Sequence, residues 1–151
     1  MYQRILVPTD GSPVSEAAVD TAIAFAQGQG SAIVALSVAV PVPAFQSVEG
    51  AIAYDPGPQA AALLEHARGC VDAIAARAGK AGVPCTTLTC SALDAARAII
   101  DTAEEQRCDL IVMGSHGRHG LSRLLAGSVT QAVLHYAPMA VMVLRPPPLP
   151  G

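Results

Sequence analysis

The sequence predicts an α/β protein, a three-layer sandwich in which helices cover both faces of a five-stranded parallel sheet. Short runs of branched apolar residues alternate with segments of helical periodicity, and several of the runs are apolar almost without interruption, as strands covered on both faces are. Composition agrees. Of 151 residues, 52% are apolar but only 3% aromatic, with no Trp, so a single core is built from Ala, Val, Leu and Ile, which suits close packing of helices on a sheet. A helix between consecutive strands returns the chain to the same end of the sheet, which makes the pairing parallel and the crossovers right-handed.

The first strand is "RILVPT", and "SPVSEAAVDTAIAFAQG" follows as a helix with Val14, Ala18, Ala22 and Phe25 on its apolar face. Ser12 is placed to cap it. Pro13 fits the first helical position, where an N–H has no partner, and Gly28 and Gly30 permit a left-handed exit. "SAIVALSVAV" is the second strand. Residues 41–57, with three prolines and two glycines, read as a long loop in which Phe45 and Tyr54 either form a small cluster of their own or lid a ligand.

From Pro58 to about Ala81, residues Leu63, Ala67, Cys70, Ile74 and Ala78 recur at helical spacing, with Gly69 as a flaw of about 1 kcal/mol relative to Ala. "VPCTTLTC" alternates threonines with less polar residues, like a strand near a sheet edge. Ser91 and Asp94 resemble a capping box for a helix that turns Ala96, Ile99 or Ile100, and Ala103 inward. "CDLIVMG" is the fourth strand, Ser128 and Gln131 cap a helix running to about Tyr136, and "MAVMVLR" is the fifth strand. His66 and His135 fall on helices, as structural or solvent-facing residues. Residues 1–145 form one domain and 146–151 a Pro-rich tail.

Net charge is −3, from 12 acidic and 9 basic residues, yet no Asp or Glu occurs from Leu110 onward, where Arg118, Arg123 and Arg145 remain. Three arginines are too few to track a nucleic-acid backbone, but two of them can meet one small anion. No nucleic-acid partner is expected. No apolar run reaches the roughly 18 residues of a membrane span, and "MYQRILVPTDGS" lacks a signal peptide's apolar stretch and cleavage site, so a cytoplasmic protein without a membrane partner is expected. Cys70, Cys85, Cys90 and Cys108 show neither a CxxC pair nor zinc-like spacing, which reads as reduced, buried thiols and no metal site.

Open α/β sheets bind ligands beyond the carboxyl ends of their strands, where the winding direction reverses. In the common order 3-2-1-4-5, strands one and four flank that reversal, and they lead into "VPTDGS" and "MGSHGRHG". Gly114 and Gly117 let backbone N–H groups approach an anion, and Gly127-Ser128 supplies a helix N-terminus, with the Ser128 and Thr130 hydroxyls as further donors. Asp10, beyond a central strand, is placed for a ligand; its plainer reading is a turn residue bonding its own backbone. His116, His119, Arg118 and Arg123 are phosphate-side candidates whose plainer reading is solvated loop side chains.

"GSHGRHGLSRLLAGSV" resembles the G-x2-G-x9-G-[S/T] signature of nucleotide-binding universal stress proteins, and "ILVPTDGS" resembles that family's first strand and acidic turn, in a likeness extending from Arg4 to Arg145. The resemblance implies an ATP-binding α/β fold of order 3-2-1-4-5 and a homodimer joined through the last strand, Met139 to Arg145. It implies that Pro8, Thr9 and Asp10 line the adenosine, with Asp10 accepting from ribose hydroxyls, and that Val38 offers its backbone near the adenine. Met113, Gly114 and Gly117 then edge the ribose and phosphates, with His116 and Arg118 beside them, while Gly127, Ser128, Val129 and Thr130 hold the phosphate chain. The implied cofactor is ATP, accompanied by Mg or Mn. One departure stands out: Ser37 and the prolines of "LSVAVPVP" replace a His and an acidic exit common in relatives.

Catalytic machinery is not evident. The loop offers G-S-H-G rather than the G-x-S-x-G of a hydrolase elbow, and Lys80, the only lysine, lies outside any Walker loop. The expectation is a dimeric, ATP-responsive binding module of the stress response, without catalytic residues or metal ligands of its own. The alternative is a slow ATPase or phosphotransfer enzyme on the same fold, which predicts steady ADP release with magnesium. A flavodoxin-like electron carrier would be yellow.

Overall fold

Strands and helices alternate as the pattern requires: β1 (Arg4–Pro8), α1 (Pro13–Gln29), β2 (Ala32–Ala39), α2 (Gly57–Lys80), β3 (Cys85–Ser91), α3 (Ala95–Glu105), β4 (Leu110–Gly114), α4 (Ser128–Tyr136) and β5 (Ala140–Leu144). The computed structural model describes residues 1–41, 57–115 and 127–145. The expected 41–57 loop, apart from its ends, and the Pro-rich tail lie outside these residues. The strands form one parallel sheet in the order β3-β2-β1-β4-β5.

Alternation along β1 sends Ile5 and Val7 to one face and Leu6 to the other. On the first face they meet Val19, Ala22 and Ala26 of α1 and Val71, Ile74 and Ala78 of α2. On the second, Leu6 joins Ile99 and Ile100 of α3 and Val133 of α4, so both isoleucines face inward. Burial from both sides explains the unbroken apolar runs. At the edge, β3 leaves Thr86 and Thr87 exposed.

Several local readings hold and others shift. Ser12 caps α1 by accepting from the Ser15 N–H at 3.3 Å, Pro13 opens the helix, and Gly30 takes the left-handed exit at φ 73°. Gly28 lies within the helix instead of at its exit. For α3 the cap is Asp94 alone, whose carboxylate accepts from the Arg97 N–H at 3.1 Å. Ser91 is still in β3, opposite Ala39, so no capping box forms. For α4 the cap position falls on Gly127, whose carbonyl accepts from the Gln131 N–H; Ser128 is the first helical residue, and among the described residues no side chain caps the helix. The four cysteines form no disulfide, but only Cys108 is buried.

Gly69 is exposed, and a Cβ added there would meet nothing within 4 Å. Gly69→Ala is therefore expected to stabilise the protein by about 0.5–1 kcal/mol, by lowering the backbone entropy of the unfolded chain. Urea unfolding checks this, and an unchanged midpoint would contradict it.

Between the strand starts, the Gln3 and Arg4 N–H groups donate to the Asp109 carboxylate at 2.8 and 3.0 Å, tying the start of β1 to that of β4. Desolvation pushes this carboxyl up, but the Gln3 and Arg4 N–H groups outweigh it and hold it below the usual carboxylate range. A depressed folded value contributes stability above the unfolded value near 4 and loses it as pH falls through the folded value. Asp109→Ala should cost about 1 kcal/mol at neutral pH, since the group is only partly buried. Comparing urea unfolding at pH 7 and pH 2.5 checks it: the gap between parent and variant should narrow in acid, and a constant gap would refute the carboxylate's part.

Candidate functional site

The two central strands part toward their carboxyl ends. Pairing between β1 and β4 is recorded at Ile5↔Leu110 and Leu6↔Ile111, whereas β1 follows β2 as far as Pro8↔Leu36 and β4 follows β5 as far as Gly114↔Leu144. Each strand stays with its outer neighbour past the point of separation. Pro8 has no N–H to bridge the gap. The separation lies where the winding direction reverses, the usual ligand position in such sheets.

Hydroxyl groups fix the turn that leaves β1. The Thr9 N–H donates to the Leu36 carbonyl, and Ser37 Oγ donates to the Thr9 carbonyl, both at 2.8 Å. Ser15 Oγ donates to Thr9 Oγ1 at 2.6 Å, and the Gly11 N–H donates to the same oxygen at 3.1 Å. Thr9 is only 6% exposed, and its hydroxyl organises the turn. Asp10 Oδ1 accepts from the Ser12 N–H at 2.9 Å, the self-bonded turn named as its plainer reading. Ser37, the departure from the family pattern, is buried and serves the turn.

On the β4 side, Gly114 touches the first turn of α1. A Cβ there would stand 2.8 Å from Val14 Cγ1 and 3.1 Å from the Val14 carbonyl oxygen. The missing side chain thus lets helix and strand approach, a reason local sequence could not supply. Thr130 of α4 donates its hydroxyl to the Gly114 carbonyl at 3.0 Å, so that proton is engaged within the protein. The Gly127 N–H donates to the Ser115 carbonyl at 2.6 Å, which holds the start of α4 against the end of β4. Two helix N-termini, those of α1 and α4, therefore converge on Gly114, each with the positive end of its dipole.

Beside this junction lies a groove of about 530 Å³, lined by Val40, Leu93, Asp94, Ala95, Ala96, Ser128, Val129 and Ala132. Sequence reasoning found Ser128 and Val129 but not Val40 or Leu93. The sequence signal was an apolar residue, Leu93, between a strand and a helix cap; it is 83% exposed. Met113 is buried among the α3 and α4 side chains, and Val38 packs against the same cluster. His116, Gly117 and Arg118, together with His119 and Arg123, lie outside the described residues. Among the described residues no three His, Cys, Asp or Glu side chains are grouped to hold a metal, and no helix is long and apolar enough to cross a membrane.

Fold and crevice together define an open α/β protein whose central strands part at the reversal point of its sheet. The chain belongs to the universal stress protein family, whose profile matches residues 1–145. It is 32% identical over 147 residues to universal stress protein MJ0531 of Methanocaldococcus jannaschii, covering 97% of this chain and 84% of that protein. The structure of MJ0577 from the same organism aligns with a TM-score of 0.82 at 26% identity, over 98% of this chain and 99% of that one. A universal stress protein in complex with cAMP aligns with a TM-score of 0.62 at 25% identity, over 95% and 97% of the two chains.

Proposed function

We propose that this protein is an adenine-nucleotide-binding regulatory module, with its ligand across the crevice between β1 and β4. The observation that carries the reading is the convergence of the α1 and α4 N-termini on Gly114. Such an arrangement suits phosphate oxygens, which accept from first-turn N–H groups and are drawn by the helix dipoles. The family member crystallised with cAMP supports an adenine nucleotide as the ligand class.

In this reading Pro8, Thr9, Asp10 and Val38 border the nucleoside. Met113, Gly114, His116, Gly117 and Arg118 edge the ribose and phosphates, and Gly127, Ser128, Val129 and Thr130 hold the phosphate chain. Thr130 acts through its N–H, because its hydroxyl is already donated to Gly114. The favoured ligand is ATP with Mg or Mn, in a cytoplasmic homodimer joined through Met139 to Arg145. The half-buried β5 at the sheet's end and the exposed Leu134 and Tyr136 nearby in the chain support that interface.

Calorimetric titration of the purified chain with ATP, ADP, AMP and cAMP tests the reading. The expected result is saturable binding of at least one of them at one site per chain, with GTP weaker. Absence of binding by all four would overturn it.

A further inference from the structure

A second constellation lies behind the β1–α1 turn. On α2, His66 and Cys70 stand one helical turn apart, with Nε2 and Sγ separated by 3.6 Å. Both face Gly11: a Cβ on that residue would lie 3.1 Å from Cys70 Sγ and 3.6 Å from His66 Nε2. Gly11 itself adopts φ +78°, in the turn that carries Asp10. His66 is exposed and Cys70 half-buried, so a small reagent can reach the pair. The arrangement, a base within reach of a nucleophilic sulfur, is one that activates thiols.

We propose that Cys70, activated by His66, is a modification site for low-molecular-weight disulfides, and that the resulting adduct displaces the Gly11 turn. His66 Nε2 takes the thiol proton, and the Cys70 thiolate attacks one sulfur of the disulfide. A new S–S bond forms as the old one breaks, and the departing thiolate recovers the proton from the His66 imidazolium. One disulfide is exchanged for another, so no further oxidant is needed. Burial raises the Cys85, Cys90 and Cys108 thiols above their ordinary range, which lowers their thiolate fraction.

The adduct acts through space already filled. The Gly11 N–H donates to Thr9 Oγ1 and the Ser12 N–H to Asp10 Oδ1, and a group added to a sulfur packed against Gly11 must push the turn that holds both bonds. Any consequence for nucleotide affinity rests on the proposed function, so the test reads the thiol and the turn directly.

The full-length chain is treated with oxidised glutathione, and its peptides are followed by mass spectrometry with amide hydrogen exchange over residues 9–15. Cys70 should acquire the adduct at least tenfold faster than Cys85 or Cys90, and His66→Gln should slow it at least fivefold. Exchange at residues 10–12 should accelerate in the modified chain and stay unchanged in Cys70→Ser treated in the same way. Equal labelling of the cysteines, indifference to His66→Gln, or an adduct that leaves exchange as before would each overturn the proposal. A chain that fails to bind any nucleotide would sink the proposed function and leave these readouts intact.

Discussion

Replacing Ser128 by proline will weaken ATP binding by roughly 10–100-fold while leaving α4 folded. Ser128 is the first residue of the helix, a position where proline is tolerated because its fixed φ is already helical. The residue before a proline must be extended, and Gly127 is, at φ −59° and ψ 162°. The substitution therefore removes one backbone donor with little change to the helix. Losing a hydrogen bond to a charged oxygen costs about 1.5–3 kcal/mol, which sets the expected range. Ser128→Ala keeps the N–H and is expected to change affinity only a few-fold. Calorimetry on both variants separates amide from hydroxyl, and equal affinities would remove α4 from the phosphate site.

Gly114→Ala should destabilise the fold by about 1–3 kcal/mol and lower Tm by about 2–10 °C. The new methyl would collide with Val14 Cγ1 at 2.8 Å and press on the Val14 carbonyl oxygen at 3.1 Å. The side chain can be trimmed but the carbonyl cannot, so adding Val14→Ala should restore part of the loss. That non-additivity is the signature of direct contact. Thermal unfolding of the two single variants and the double variant measures it, and strictly additive losses would place the strain elsewhere.

Strands were the legible part of this chain because burial on both faces writes an apolar residue at nearly every position of β1, β2 and β4. The α1 cap was equally plain, since a serine followed by proline has one physical reading at a helix start. At α4 the S-x-x-Q pattern misled by one residue. Gly127 supplies the extended backbone of the cap without any side chain, leaving Ser128 inside the helix. The candidate site was legible as the segments leaving β1 and β4 but not as a set of contacts. Ser37 reaches from β2 to the Thr9 carbonyl at the end of the neighbouring β1, and Gly114 owes its missing Cβ to Val14 of α1; both are tertiary relations with no trace in local spacing. The groove shared by Val40, Leu93 and Val129 likewise exists only once β2, α3 and α4 are side by side.

A crystal structure of the chain grown with ATP tests the crevice most directly. Phosphate oxygens within hydrogen-bond distance of the Ser128, Val129 and Thr130 N–H groups, with ribose hydroxyls on Asp10, are the predicted result. Nucleotide bound elsewhere on the molecule, or a crevice between β1 and β4 closed by side chains at saturating ATP, would contradict it.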